Sequence, residues 1–173
     1  EGSALGSSIA STDWDMPPAT LHSIKIHPSG FMVGAFGNDL CVSVAYQPHA
    51  WPVGWRLKID YPIVGLEVFG TSILVLTTAE PYLFTGVEPD GLSQEKTEIL
   101  QSCTSKRGIV TIGGGVIYPS PDGLILVGMS SVKNITDVIF SREDWQALNP
   151  SSIIGAFHDG KYYGFYDTGP ADG

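Results

Sequence analysis

Apolar residues along this chain occur in short runs that end at turn residues, and helical spacing is almost absent. The stretch "SIKIHPSGFMVGAFGNDLCVSVAY" contains three such runs, and "WRLKID" supplies a fourth. Short apolar runs between Gly, Pro, Asn and Asp are typical of strands joined by tight turns. The pattern therefore predicts strands at about 22–27, 31–36, 40–46 and 55–60.

The same scheme recurs further along the chain. A second block predicts strands near 63–68, 72–78 and 81–85, and a third predicts strands near 108–112, 116–120 and 123–129. The stretch "SIIGAFHDGKYYGFYD" predicts a final hairpin. In these three blocks a leading glycine is followed five residues later by another glycine and then by an apolar strand; the leading glycines are Gly65, Gly108 and Gly155.

A repeat of about 40 to 50 residues with about four strands in each is typical of a β-propeller. We predict an all-β, antiparallel protein of propeller-like stacked blades. The chain would hold about three and a half blades, so we interpret it as a fragment of a larger protein. The predicted segments are a flexible lead over 1–20, blades over 21–60, 61–101 and 102–150, and an incomplete blade over 151–173. A β-sandwich or barrel whose hairpins imitate blades is the alternative.

One segment departs from the strand pattern. In "SREDWQALNP", Ser141 is followed three residues later by Asp144, which is the spacing of a helix capping box. Trp145 follows, and Pro150 prevents the helix from continuing. We predict a short helix between two blades.

Two adjacent cations precede the first strand of the third block. Lys106 and Arg107 would lie at one crossing between blades, and Asp144 and Trp145 at the next. Successive crossings in a propeller lie on the same face of the ring, so these four residues are candidate blade contacts. We expect Arg107 to lie within ion-pair or hydrogen-bond distance of an acid or carbonyl from a neighbouring blade.

Composition narrows the classes of function. The net charge is −9, which disfavours nucleic acid as a partner because phosphate binding needs clustered Lys and Arg. No apolar run is long enough for a transmembrane helix. The four histidines lack the spacing of metal ligands, and no nucleophile motif occurs. The sequence therefore predicts no cofactor, no metal site and no enzymatic activity.

Two tryptophans lie in the proline-rich stretch "HAWPVGW". Trp51 and Trp55 are a candidate exposed aromatic platform on which a sugar ring would stack. The alternative, which we favour, is that they cover the core of a blade or pack against a neighbouring subunit.

Three stretches resemble a family of phage and prophage virion proteins. They are 103–107, 118–123 and 142–148, within a region of resemblance from Tyr61 to Gly169. These proteins are similar to the propeller-type nozzle or hub components of short-tailed phage tails. The resemblance implies a structural tail protein in the virion, made in the bacterial host cytoplasm, that contacts other tail proteins or its own copies in a ring. The family offers no catalytic residue to carry over.

A second class of function stays open on the sequence. Some propellers bind carbohydrate or hydrolyse glycans, and hydrolysis requires a pair of carboxylates facing one site. Glu67 and Asp60 are the acids near predicted inner strands, and they do not form an obvious pair. Binding to a glycan has no further support in the sequence.

The two cysteines generate a first prediction. Cys41 and Cys103 lie on different predicted blades and have neither zinc-ligand nor redox spacing. We predict that both are reduced and unpaired. The intact mass of the non-reduced chain should therefore match that of two free thiols, and alkylation after denaturation should add two groups. A mass lower by two hydrogens would show a disulfide instead.

Overall fold

A computed structural model of the chain describes residues 14–95, 100–129, 131–167 and 169. The first 13 residues of the predicted lead lie outside this range. The described end of that lead is anchored and not free, because the Asp15 carbonyl accepts a hydrogen bond from Trp51 N at 2.9 Å. Asp15 Oδ2 also accepts from Val53 N at 2.9 Å.

Fourteen strands form in the described residues, and most of them match the predicted runs. The first sheet contains β1 (His22–Ile26), β2 (Met32–Phe36), β3 (Asp39–Val42) and β4 (Leu57–Lys58). The second contains β5 (Ile63–Phe69), β6 (Ser72–Thr77), β7 (Tyr82–Thr85) and β8 (Ser93–Glu95). The third contains β9 (Val110–Ile112), β10 (Gly115–Ser120), β11 (Gly123–Gly128) and β12 (Val132–Asn134). A separate hairpin contains β13 (Ile154–His158) and β14 (Lys161–Phe165).

Strands within each sheet pair antiparallel with their neighbours in the chain. The predicted all-β, antiparallel class is therefore confirmed. Each described sheet has two edge strands, so none closes into a barrel. The predicted helix is also confirmed as α1 (Arg142–Ala147). Three 3-10 turns complete the elements, at Val53–Trp55, Lys106–Gly108 and Pro150–Ser152.

The sheets pack face to face in chain order. Alternate residues of β6 point to opposite neighbours, because side chains along a strand alternate between its faces. Ile73 and Val75 join a core with the first sheet, whereas Leu74 and Leu76 join a core with the third. All four side chains are fully buried, and each such burial stabilises the fold by about 1.5–3 kcal/mol.

A third core covers the other face of the third sheet. It contains Ile117 and Leu124 from that sheet, Trp145 from α1, and Ile153 before the hairpin. The hairpin is thereby attached to the stack through the residues that precede it. Cys41 and Cys103 are both buried and free, which confirms that they do not pair.

The first strands of successive sheets approach one another closely. β1 contacts β5, β5 contacts β9, and β9 contacts β13. A Cβ added to Gly65 would lie 2.5 Å from Ile109 Cδ1, next to the third sheet. A Cβ added to Gly155 would lie 2.8 Å from Val110 Cγ2 and 2.9 Å from the Gly108 carbonyl. These repeated glycines therefore leave room for the neighbouring strand.

The double-sided core of β6 generates a stability prediction. Leu74→Ala should lower the free energy of unfolding by about 2–5 kcal/mol, because it leaves a cavity between the second and third sheets. Leu100→Ala is the matched control, because Leu100 is 78% exposed. This substitution should change the free energy of unfolding by less than about 0.5 kcal/mol. Urea denaturation followed by circular dichroism measures both. Equal losses in the two variants would contradict the assigned core.

Candidate functional site

The predicted aromatic platform does not form at Trp51. Its side chain is 2% exposed, and its indole Nε1 donates to the Pro48 carbonyl at 2.9 Å. Trp55 is half-buried in the 3-10 turn Val53–Trp55. An exposed pair is therefore wrong, because the link between β3 and β4 folds back and covers Trp51. The favoured alternative, in which these tryptophans cover a core, is consistent with the burial of Trp51.

The expected contact of Arg107 is also absent. Its side chain is exposed, and it has no ion-pair or hydrogen-bond partner within the part of the chain that the structure describes. The adjacent Lys106 makes an inter-unit contact instead, with its Nζ 3.4 Å from His22 Nδ1 on β1. The segment that precedes β9 thus contacts the first sheet through Lys106 and not through Arg107. The 3-10 turn Lys106–Gly108 directs these two side chains differently.

Asp144 and Trp145 have separate roles on α1. The Asp144 backbone N donates to the Ser141 hydroxyl at 3.1 Å, and that hydroxyl donates to the Asp144 carboxylate at 2.7 Å. Ser141 is therefore the N-cap of α1 and Asp144 completes its capping box, and no salt bridge joins Asp144 to Arg107 among the described residues. Trp145 is 3% exposed and donates from Nε1 to the Ser120 carbonyl at 2.9 Å, which fixes α1 against the third sheet.

A polar cluster that the sequence did not predict links the first strands of three sheets. Glu67 on β5 is 9% exposed, and its Oε1 lies 2.5 Å from Lys25 Nζ on β1. The Thr111 hydroxyl on β9 donates to Glu67 Oε2 at 2.8 Å. Each carboxylate oxygen is therefore bound by a different neighbouring sheet. The signal in the sequence was weak, because one Lys, one Glu and one Thr in separate strands match no motif.

A cavity of about 180 Å³ adjoins this cluster and is lined in part by Ser23, Lys25 and Lys106. Ser23 has a φ of 53° at an irregularity in the β1–β2 pairing, and its hydroxyl lies 3.1 Å from His22 Nδ1. Burial, with a further contribution from nearby Lys106, lowers the pKa of His22. A neutral His22 can accept hydrogen bonds at Nδ1, so the cluster holds the first sheet against the Lys106 crossing.

Burial raises the pKa of Cys103 to about 12, so this thiol stays protonated at neutral pH and is a poor nucleophile. Within the described ranges, no three His, Cys, Asp or Glu side chains lie close enough together to hold a metal ion. None of the helices in those ranges has the length and apolar character needed to cross a membrane. The cluster around Glu67 is best described as a contact between sheets.

Comparisons with known proteins add little to this picture. No family model and no curated protein match the sequence. One similar solved chain belongs to an S. cerevisiae complex described as Dbp5 bound to Nup159, Gle1, IP6 and ADP; it is 13% identical, with a TM-score of 0.49. The match covers 87% of this chain and 44% of the yeast chain, so this chain spans less than half of that length. A TM-score below 0.5 does not establish a shared fold, and we infer nothing from it.

The cluster predicts a selective effect of one substitution. Glu67→Gln removes the negative charge of a nearly buried side chain that pairs with Lys25. The free energy of unfolding should fall by about 1 kcal/mol, which corresponds to a melting temperature lower by about 2–4 °C. Glu95→Gln is a matched control, because Glu95 also accepts from a threonine, Thr85, but is exposed and stays within one sheet. Its melting temperature should hardly change. Equal changes in the melting temperatures of the two variants would show that the contacts of Glu67 between sheets stabilise the fold no more than an exposed contact within one sheet.

Proposed function

We propose that this chain is a structural component of a phage or prophage tail that acts through protein–protein contacts and not through catalysis. The observation that carries the proposal is that both end faces of the stack of sheets expose large apolar side chains. Surfaces of this kind are typical of protein interfaces, because exposed apolar patches are costly in water.

The first end face lies on the side of the first sheet that points away from the second. Lys25 points toward Glu67 of the second sheet, so its neighbours Ile24 and Ile26 lie on the other face. These two side chains are 49% and 68% exposed. Phe36 is 37% exposed at the end of β2. The face therefore exposes apolar area at Ile24 and Ile26, while Arg56 lies 5.7 Å from the Phe36 ring and covers part of it.

The second end face lies on the hairpin. Tyr162 points back toward the third sheet, where its hydroxyl donates to the Gly108 carbonyl at 2.9 Å. Tyr163 and Phe165 alternate with it and point away from the stack. Their exposed fractions are 42% and 64%. Aromatic residues of this kind are enriched in the cores of interfaces.

Both faces suit the packing of a further sheet. Inside the stack, each sheet already covers its neighbour with aliphatic and aromatic side chains, so another sheet would meet surfaces of the same chemistry. We propose that the sheets are blades of a propeller-type ring completed by further blades on these faces. The partners would be other tail proteins or further copies of this chain.

The phage part of the proposal rests on the resemblance between Tyr61 and Gly169 and the virion family. A structural role fits the contacts of Glu67, whose nearly buried carboxylate joins the second sheet to the first and to the third. In this proposal the protein is made in the bacterial host cytoplasm and is located in the virion. Mass spectrometry of particles purified from the host that carries the gene tests this; absence of its peptides from tails would contradict it.

The exposed end faces generate a prediction about association. The wild-type chain should associate with rising concentration, because each copy offers two apolar faces. A double variant, Ile26→Ser with Phe165→Ser, should shift the weight-average mass in sedimentation toward the 18.5 kDa monomer. Its loss of apolar area lies at the surface, so circular dichroism should remain that of the wild type.

The matched control for this experiment is Met129→Ser with Val138→Ser. These side chains are 80% and 89% exposed but lie on neither end face, so their replacement should leave association unchanged. A wild-type chain that stays monomeric at all concentrations would argue against the end faces as interfaces. Equal loss of association in both double variants would argue for general hydrophobic aggregation instead.

A further inference from the structure

Two adjoining cavities lie on one rim of the stack, on either side of the turn between β10 and β11. Their volumes are about 550 and 480 Å³, and Pro121 lines both. Both volumes fall within the range of small-molecule sites in proteins. We call the two cavities together the rim groove; the first is lined by residues of α1 and the second by Tyr61 and Asp122.

Hydrogen bonds hold the central turn of the rim groove in place. Asp122 N donates to the Ser120 hydroxyl at 3.2 Å, and Asn134 Nδ2 donates to the Asp122 carbonyl at 2.9 Å. Gln146 of α1 donates from Nε2 to the Pro121 carbonyl. A ligand that binds here would therefore meet a preformed surface, which reduces the entropy lost on binding.

The charged groups of the rim groove nearly cancel. Arg142 Nε lies 2.9 Å from Asp122 Oδ1, and Gln101 Nε2 donates to Asp122 Oδ2 at 3.0 Å. Asp122 Oδ1 is buried against Arg142 and Oδ2 accepts from Gln101, so this carboxylate organises the surrounding side chains and is not itself offered to a ligand. Glu80 adds one further carboxylate at the edge. One cation beside two acids disfavours an anionic ligand, and two acids alone are too few for a typical cation site.

The remaining groups are neutral donors and acceptors beside one aromatic ring. Gln101 and Asn149 carry amides that each donate one hydrogen bond within the protein, to Asp122 and to the Asp167 carbonyl, and retain further capacity to donate and accept. The Ser151 hydroxyl donates to Asn149 Oδ1, and Ser102 carries a further hydroxyl. Tyr61 is 38% exposed at one end of the rim groove, where its ring offers an apolar face. A ligand that matches this set has many hydroxyl groups, an apolar ring face and no net charge.

We propose that the rim groove is a binding site for a short neutral oligosaccharide. The sugar hydroxyls would pair with Glu80, Gln101 and the amide of Asn149, and one sugar ring would stack on Tyr61. Two neighbouring cavities suit a chain of linked rings, with one ring in each, better than one compact molecule. This site is independent of the end faces and does not involve Trp51 or Trp55, so it stands or falls separately from the proposed tail function.

The test begins with the purified chain on an array that carries neutral oligosaccharides, including maltotriose, cellotriose and chitotriose, together with sulfated and phosphorylated glycans. The best-bound glycan is then titrated into the ¹⁵N-labelled chain and followed by nuclear magnetic resonance. We expect saturable shifts at the amides of Gln101, Asp122 and Asn149. Tyr61→Ala should weaken binding by about tenfold or more through the lost stacking surface.

The matched control is Tyr163→Ala, because Tyr163 is similarly exposed, at 42%, but lies on the hairpin face. Its affinity for the same glycan should equal that of the wild type, and thermal melts should show that both variants are folded. The proposal is overturned if no neutral glycan binds, if only sulfated or phosphorylated glycans bind, or if the shifts map outside the rim groove. Equal weakening by the two tyrosine variants would overturn it as well.

Discussion

The second sheet must be covered on both faces, and most other features of the molecule follow from this requirement. Its strand β6 alternates side chains between two cores, so Ile73 and Leu74 are equally buried although they point in opposite directions. A strand covered on both sides reads as a continuous apolar run, which explains "SILVLT". Because each sheet needs two neighbours, the stack has apolar faces wherever a neighbour is lacking.

Close packing also determines where polar groups are tolerated. Glu67 lies between two sheets, where an unpaired carboxylate would be strongly destabilising. Lys25 binds one of its oxygens from one side and Thr111 binds the other from the opposite side. Apolar contacts would permit a sheet to slide against its neighbour, whereas these directional contacts specify which residues of the inner strands lie opposite each other.

The sequence allowed most strands to be predicted, because two-residue turns such as Gly70–Thr71 follow directly from local turn chemistry. The short edge strands β8 and β12 could not be predicted, since "SQE" and "VKN" are polar and are defined by backbone pairing with a partner strand. The cap of α1 is local and was predicted, whereas the exposure of Arg107 and the burial of Trp51 depend on how links between strands fold back. The rim groove is lined by residues from several turns that are distant in the sequence, and no spacing in the sequence indicates it.

Two buried tryptophans lie near opposite ends of the stack of sheets, which has an optical consequence. Trp51 belongs to the link within the first sheet, and Trp145 covers the far side of the third; both are excluded from water. Trp14, by contrast, is 41% exposed. Trp55, the fourth tryptophan, is half-buried. The intrinsic fluorescence of this protein therefore combines two shielded emitters near separate ends of the stack with one half-buried and one more exposed emitter. The two buried tryptophans give the blue-shifted part of the emission. If the stack unfolded from one end, this emission would be lost in two steps, and the steps would report the order in which the sheets separate.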